Sequence, residues 1–417
     1  MALGLPILVI AIVGGLYMAW AIGANDVANA MGTSVGSGAL TLKRAIIVAA
    51  VFEFAGAVLA GSSVSKTIRK GIVDPEAFVA NPELLVFGMT ASLLAAAIWL
   101  NVATKFGWPV STTHSIVGAI VGFSAVGLGV DAVSWGKVGA IVASWVTSPA
   151  TSGLIAFVAF HVLRRFVLDV DAPLERTIKA VPYLAFATTM IIALVTLWKG
   201  LKHLDLDFGP QTTTIIAVGV SFAAAVFARM FVNRVTLSPD PSDPKRTKSV
   251  ERVFAILQVY TACAVAFAHG SNDVANAIGP LAAVVATVKA GAVTAKSAVP
   301  VWMLLLGGVG IVIGLATYGY KVMATVGEKI TELTPSRGYV AEFAAATTIV
   351  VASQLGMPIS TTHTLIGAVL GVSLARGMGA TNFKIVGQIV VSWVVTLPAG
   401  AGLAIGFFYL FRTLFGS

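Results

Sequence analysis

The chain has 417 residues, of which 57% are hydrophobic and 11% are charged. Soluble globular proteins carry about 25% charged residues, so this composition excludes soluble enzymes, nucleic-acid-binding proteins and disordered chains. The net charge of +9 at pH 7 comes from Lys and Arg in short segments between apolar runs, as in the cytoplasmic loops of membrane proteins. A single cysteine, Cys263, excludes a disulfide framework and a cysteine metal site. The composition predicts an all-α polytopic membrane protein.

A membrane-spanning helix needs roughly 20 apolar residues, and about twelve segments approach that length. Two of them are short and begin at or just after Pro109 and Pro358, which indicates broken or re-entrant helices. The first segment lacks a basic start and is therefore predicted to be a membrane segment rather than a secretory signal peptide. The candidate segments are 3–22, 45–62, 84–104, 109–130, 138–160, 180–198, 211–232, 251–268, 298–320, 339–356, 360–376 and 384–412.

The polar stretch 229–252 is rich in proline, lysine and arginine and is predicted to be a short, flexible, basic cytoplasmic loop. An odd number of candidate segments lies on each side of it, so both termini are predicted to lie outside the cell membrane. Lys66 then falls inside, in agreement with the positive-inside rule, whereas Lys43 and Arg44 fall outside.

Two motifs occur twice, in the same order and at nearly the same separation, which indicates a duplicated chain. Gly-Ala-Asn-Asp-Val-Ala-Asn-Ala at 23–30 recurs at 270–277 with one change, Ser271 for Ala24. Pro-Val-Ser-Thr-Thr-His at 109–114 recurs at 358–363 with isoleucine for valine. An odd number of segments separates the copies, which favours inverted-topology repeats; if 109–130 does not cross the membrane, the repeats are parallel. The predicted divisions are a first transmembrane repeat at 1–165, connecting transmembrane segments at 166–228, the loop at 229–252 and a second transmembrane repeat at 253–417.

The first motif places a carboxylate at or beside the end of an apolar segment, where it is costly unless it is paired or hydrated. Carboxylate, amide and backbone oxygens are the ligands of hard cations such as Na⁺, and the preceding glycine permits local unwinding that frees carbonyls. The alternative is that these residues only cap a new helix. The predicted sodium ligands are Asn25, Asp26, Asn29, Asn272, Asp273 and Asn276.

In the second motif the proline ends one helix and Ser and Thr cap the next, leaving N–H groups free at its positive end. Two such N-termini at one centre suit a tetrahedral oxyanion, although ordinary loop capping is the alternative. Neither motif contains Lys or Arg, so the anion must be held by hydroxyls, amides and bound cations. The predicted anion ligands are Ser111, Thr112, Thr113, Ser360, Thr361 and Thr362.

Three further residues are candidates. His114 and His363 follow these hydroxyls directly and either donate to the anion, carry protons, or orient the turn from behind it. Glu53 lies inside an apolar run and is a candidate for a further cation or proton site, or a buried protonated structural residue. His269 has no histidine counterpart in the first half, where Ile22 stands, which makes a general role doubtful.

The duplicated Gly-[Ala/Ser]-Asn-Asp-Val-Ala-Asn-Ala and Pro-x-Ser-Thr-Thr-His motifs resemble those of the inorganic phosphate transporter (PiT) family, over nearly the whole chain. The resemblance implies import of phosphate by symport with Na⁺ or H⁺, inverted repeats, and a site between them near the midplane. It also implies that the serines and threonines of the second motif cradle phosphate, while the Asn and Asp residues hold Na⁺ or, as at Asn25 and Asn272, bridge it to the anion. No resident cofactor is expected, since sodium is co-transported.

Four alternatives remain open. Transport is proton-coupled if Asp26, Asp273 or Glu53 titrates, and some similar proteins carry sulfate. A passive anion channel is disfavoured by the paired Asp residues. An enzyme that uses Ser111 and His114, or Ser360 and His363, as nucleophile and base is not expected, because neither serine lies in a Gly-x-Ser-x-Gly nucleophile elbow. The expected partners are phosphate, Na⁺ or H⁺ and the lipid of a plasma membrane, with a homo-oligomer plausible and no nucleic acid.

Overall fold

The computed structural model describes residues 4–199, 209–232, 247–293, 299–320, 322–323, 332–377 and 382–416, and their regular structure is helical. Extended backbone within these ranges pairs only at an isolated bridge between Val73 and Val133. The helices are α1 (Gly4–Gly36), α2 (Leu42–Ala60), α3 (Ser62–Gly71), α4 (Pro82–Lys105), α5 (Thr112–Gly127), α6 (Trp135–Leu163), α7 (Pro173–Lys199), α8 (Pro210–Val232), α9 (Thr247–Ala290), α10 (Val301–Tyr318), α11 (Pro335–Gln354), α12 (Thr361–Arg376) and α13 (Phe383–Phe415).

Fewer helices can span a membrane than the sequence predicted. Eight of the described helices are long and apolar enough, or nine if α2 and α3, which meet at 69°, form one broken span. The segments at 109–130 and 360–376 fold as the helices α5 and α12 of 16 residues, about 24 Å long, which is shorter than the hydrocarbon layer of about 30 Å. The segment at 339–356 lies in α11, which is also not among the eight.

The basic stretch between the halves is also narrower than predicted. Residues 229–232 complete α8, and residues 247–252 begin α9. The rest of the predicted loop lies outside the described residues.

The first motif lies inside helices α1 and α9, which run through it without interruption. The prediction that Gly23 and Gly270 unwind the helix is therefore wrong, and so is the alternative that the motif caps a helix start. A Cβ on Gly23 would lie 2.0 Å from the carbonyl oxygen of Ile311, and one on Gly270 would lie 2.1 Å from that of Glu53. The glycines are needed because α10 and α2 pack directly against the motif backbone.

Helices α1 and α9 run antiparallel to each other. Gly4 lies beside Val288 and Gly15 beside Leu281, while further along α1 the Ser37 hydroxyl donates to Gln258 at 2.6 Å. Two equivalent helices that run in opposite directions bring their Asn-Asp motifs together in the middle of the protein.

The short helices α5 and α12 each pack on a long helix of the opposite half. Gly118 of α5 lies against the backbone of Leu397 in α13, and Gly367 of α12 lies against that of Pro149 in α6. A β-carbon at either glycine would approach a carbonyl oxygen to 2.5 Å or less. Helix α5 of the first half is therefore positioned by α13 of the second half, and α12 of the second half is positioned by α6 of the first.

Candidate functional site

The middles of α1 and α9 and the N-termini of α5 and α12 meet at one buried centre. Every residue predicted to bind sodium or the anion lies there, and none has more than 2% of its surface exposed: Asn25, Asp26, Asn29, Ser111, Thr112, Thr113, Asn272, Asp273, Asn276, Ser360, Thr361 and Thr362. The structure thus brings together the two motifs of both halves.

Ser111 and Ser360 cap their helices as the sequence predicted. Each has an extended backbone, and its hydroxyl oxygen accepts a hydrogen bond of 3.2 Å from the main-chain N–H of His114 or His363, respectively. The amides of the first helical turn have no carbonyl partner within their own helix, so the positive end of each helix points into the centre.

In each half a threonine hydroxyl connects the two motifs. Thr112 donates to Oδ2 of Asp26, and Thr361 donates to Oδ2 of Asp273 at 2.8 Å. The residue types expected to bind an anion and those expected to bind a cation are therefore in direct contact.

Two asparagines connect the halves to each other. Asn29 donates to Oδ1 of Asp26 at 3.2 Å, as the i, i+3 spacing predicts, and also to the Thr362 hydroxyl of the other half at 2.8 Å. Asn276 donates in the same way to Thr113 at 3.4 Å. Each Asn-Asp motif thereby contacts the Ser-Thr-Thr motif of the opposite half.

The amide groups of Asn25 and Asn272 are fixed from outside the two motifs. Asn25 donates to the Thr104 hydroxyl at 2.9 Å and to the carbonyl of Trp108. Asn272 donates to the Ser353 hydroxyl at 3.0 Å and to the carbonyl of Met357. Both Oδ1 atoms are buried and accept no hydrogen bond within the described part of the chain, so both are oriented as potential ligands.

Sequence reasoning missed Thr104 and Ser353. A signal was present, because each hydroxyl residue lies at the same position before its Pro-x-Ser-Thr-Thr-His motif. A search for small polar residues repeated along with the motifs would have found both.

His269 lies among the buried acids and is the main functional candidate that the sequence reading set aside. Its Nε2 is 3.1 Å from Oδ2 of Asp273 and 4.0 Å from Oδ2 of Asp26, while its Nδ1 is 3.3 Å from Oε2 of Glu53. All four side chains are at most 1% exposed. The i, i+4 spacing of His269 and Asp273 on one helix was the available signal.

This group breaks the symmetry of the site. The residue equivalent to His269, directly before the first motif, is Ile22. The carbonyl of Glu53 contacts Gly270 as the carbonyl of Ile311 contacts Gly23, so Ile311 is equivalent to Glu53. Both isoleucines are fully buried. The acid and the base thus form a pair with one member from each half, and the equivalent pair of positions, also one from each half, holds two isoleucines. That pairing explains why neither residue has a counterpart in the sequence.

The charges of the centre do not balance. Three buried carboxylates, Asp26, Glu53 and Asp273, surround a single imidazole, and an uncompensated buried charge is strongly unfavourable. Several carboxylate and amide oxygens here accept no hydrogen bond within the described ranges. Asp26, His269 and Asp273 also place one ligand atom each within 4.8 Å of the others. Such an oxygen-rich, negatively charged group fits hard monovalent or divalent cations.

His114 and His363 face away from the serine hydroxyls. Their Nδ1 atoms lie at 3.4 and 3.2 Å from the carbonyl oxygens of Trp393 and Trp145. In this arrangement neither histidine is bonded to the hydroxyl of the preceding motif serine, as a nucleophile–base pair requires.

Comparison with known proteins agrees with this geometry. The profile of a group described as the phosphate transporter family matches residues 22–404. The chain belongs to the phosphate transporter family. The resemblance to PiT transporters is confirmed, and membership of a transporter family agrees with the expectation that the chain is not an enzyme.

Several members of the phosphate transporter family are similar over most of their length. A putative phosphate permease of Haemophilus influenzae is 49% identical over 402 residues, 96% of each chain. Inorganic phosphate transporter 2-1 of Arabidopsis thaliana, a chloroplastic protein, is 45% identical over 96% of this chain and 71% of its own. A solved structure described as the sodium-dependent phosphate transporter is 42% identical, with a TM-score of 0.90, and the match covers 98% of this chain and 99% of that one.

Proposed function

We propose that this transporter imports inorganic phosphate together with sodium, by alternating access to the buried centre. The observation that carries the proposal is the threonine hydroxyl that joins the anion motif to the cation motif in each half, at Thr112–Asp26 and Thr361–Asp273. The similarity to a solved sodium-dependent phosphate transporter supports the choice of ions.

Phosphate would be held by the two helix N-termini. Ser111, Thr112 and Thr113 of one half and the equivalent residues of the other offer hydroxyls and first-turn amides around one point, which suits an anion with four oxygens. The motifs contain no Lys or Arg, so the charge of the anion must be offset by cations bound beside it.

Sodium would be held by Asp26 and Asp273 with the amide oxygens of the neighbouring asparagines. A cation on Asp26 competes for the carboxylate oxygen that now accepts from Thr112, and the released hydroxyl becomes a donor for phosphate. Sodium and phosphate therefore increase each other's affinity, and this coupling is reciprocal. Glu53 belongs to the same centre through His269 and would hold a further cation or a proton.

The inverted-repeat architecture is supported by the antiparallel course of α1 and α9. We infer repeats at about the predicted divisions 1–165 and 253–417 with the site between them, and residues 166–228 as the connection. The chain would lie in the plasma membrane with its central loop in the cytoplasm and both termini outside. Because the site residues are buried on every side, access requires movement of one repeat against the other.

The proposal is tested by uptake of labelled phosphate into proteoliposomes. We expect concentrative uptake with an inward Na⁺ gradient at equal pH and none with an inward H⁺ gradient without Na⁺. Uptake driven by protons alone would refute sodium symport and make the carboxylates proton carriers. Competition by sulfate measures the specificity for phosphate.

The coupling is tested with Asp26→Asn, which should weaken sodium binding and phosphate binding together. Asp169→Asn is the matched control, because Asp169 is an exposed carboxylate paired with Arg164 far along the chain from either motif. Weaker phosphate binding with unchanged sodium affinity in Asp26→Asn would contradict the shared-hydroxyl mechanism.

A further inference from the structure

Four aromatic side chains form a closed group behind the Ser-Thr-Thr motifs. The ring of His114 lies 3.7 Å, centroid to centroid, from the indole of Trp145, and the ring of His363 lies 3.4 Å from that of Trp393. The two imidazoles contact each other edge to face at 4.5 Å. We call these four residues the His–Trp cluster. It joins α5 and α12 to α6 and α13.

Hydrogen bonds cross the cluster from one half to the other. His114 packs at a tilt on Trp145 of its own half, but its Nδ1 faces the carbonyl of Trp393. His363 stacks on Trp393, but its Nδ1 faces the carbonyl of Trp145. A carbonyl oxygen only accepts, so Nδ1 carries the proton in both rings. Each histidine is thereby fixed between the two long helices.

A proline explains why a helical carbonyl is available for this bond. In an α-helix the carbonyl of Trp145 would accept from the N–H of residue 149, but that residue is Pro149, which has no N–H. His363 supplies the missing donor at 3.2 Å. In α13 the proline is Pro398, five residues after Trp393 rather than four, so a missing N–H accounts for the free carbonyl at Trp145 alone; the bond from His114 to the Trp393 carbonyl is longer at 3.4 Å.

The remaining polar atoms of the cluster do not orient the rings. The Nε2 atoms of His114 and His363 and the Nε1 atoms of Trp145 and Trp393 are buried and make no hydrogen bond within the described residues. Each imidazole is therefore fixed by its packing on an indole ring and by the single bond to the opposite half. Loss of that bond would leave the ring free to rotate.

Resting on the proposed function, we propose that His114 and His363 are positioning residues for phosphate. The main-chain N–H of each histidine is the one that the cap serine, Ser111 or Ser360, accepts from, so the ring and the first helical turn belong to the same residue. The crosswise bond aligns that turn with the long helix of the other half, and the close contacts at Gly118 and Gly367 continue the alignment along the helix. Both sets of hydroxyls and amides are thus aimed at one centre.

The test compares His114→Leu with His114→Asn. Leucine fills the space without a donor, whereas the asparagine amide can replace Nδ1–H. In His114→Leu the phosphate concentration for half-maximal uptake should rise about tenfold, since the effect of one aligned hydrogen bond is of that order. Sodium affinity, measured by ²²Na⁺ binding without phosphate, should stay within about twofold of the parent. His114→Asn should recover most of the phosphate affinity.

His161→Leu is the matched control. His161 also places Nδ1 against a helical carbonyl, that of Phe157 at 3.2 Å, and packs on an aromatic ring at 4.5 Å, but it is exposed on the surface of α6. Its replacement should change neither affinity.

Pro149→Ala tests the same bond without altering a histidine. It restores an N–H that competes for the Trp145 carbonyl, and it should raise the half-maximal phosphate concentration several-fold, as His363→Leu does. Pro182→Ala, at the proline inside α7, is the control and should have no such effect. This pair decides the question if His114→Leu does not fold.

The proposal is overturned if His114→Leu and Pro149→Ala leave the phosphate affinity unchanged. It is equally overturned if sodium and phosphate affinities fall together, because the cluster is then only structural, or if His114→Asn is as impaired as His114→Leu. Failure of the parent protein to bind phosphate at all would instead refute the proposed function.

Discussion

The contact between Gly270 and α2 gives the sharpest prediction, because backbone lies against backbone there. In Gly270→Ala the new Cβ would be 2.1 Å from the carbonyl oxygen of Glu53 and 2.8 Å from its Cα. Carbon atoms do not approach that closely, so α2 and α9 must separate by about 1 Å, at a cost of about 1–3 kcal/mol for overpacking.

The separation moves Glu53 with its helix and away from His269, from which its carboxylate now lies at 3.3 Å. A misplacement of about 1 Å at a preorganised site reduces turnover by up to about a hundredfold. We therefore expect Gly270→Ala to reduce sodium-driven phosphate uptake at least tenfold and to lower the thermal midpoint of the purified protein.

Uptake into proteoliposomes and thermal unfolding in detergent measure the two effects. Gly219→Ala in α8 is the control, because a Cβ there meets no atom within 4 Å, and alanine in a helix is more favourable than glycine by about 1 kcal/mol. If Gly270→Ala transports like the parent with an unchanged midpoint, the glycine is not a close-contact position and the reasoning fails.

Three further predictions concern buried polar contacts. Ser353→Ala removes one of the two acceptors that fix the amide of Asn272, so the sodium concentration for half-maximal uptake should rise several-fold; an unchanged sodium curve would contradict the role given to that amide. Glu53→Ile should destabilise the protein by about 1–3 kcal/mol because it removes the carboxylate that faces the buried Nδ1 of His269, whereas adding His269→Ile should restore much of the loss, since the repeat-related positions both hold isoleucine; additive losses in denaturation would argue against a pair. Glu342→Gln should lower the thermal midpoint by removing a buried carboxylate that accepts four side-chain hydrogen bonds, at a cost of about 1–3 kcal/mol; an unaffected midpoint would count against this.

The local features of the site were predictable from sequence. Ser111 and Ser360 cap helices because a serine after a proline turn is a strong start signal. The i, i+3 contact between Asp26 and Asn29 follows from helix geometry alone. Duplication of both motifs was sufficient to predict that the two halves share one centre.

The spans and the course of the helices were predicted less well. Apolar length does not distinguish a crossing helix from a short one packed inside the protein, so α5 and α12 were included among the twelve segments, although the prolines before them indicated broken or re-entrant helices. Glycines before Asp26 and Asp273 suggested unwinding of the helix. A sequence alone does not distinguish a glycine that breaks a helix from one that is needed because a neighbouring backbone packs against it.

The sequence by itself determined that this protein lies in a membrane, that two polar motifs occur twice in it, and which polar residues would meet, because low charge content and repetition of motifs are visible in one dimension. Only the tertiary structure decided that His269 lies among three acids and that each histidine of the second motif bonds to the opposite half. These contacts join residues that are distant along the chain and follow no periodic rule. They depend on the antiparallel packing of α1 and α9 and on how closely the glycines allow the backbones to approach.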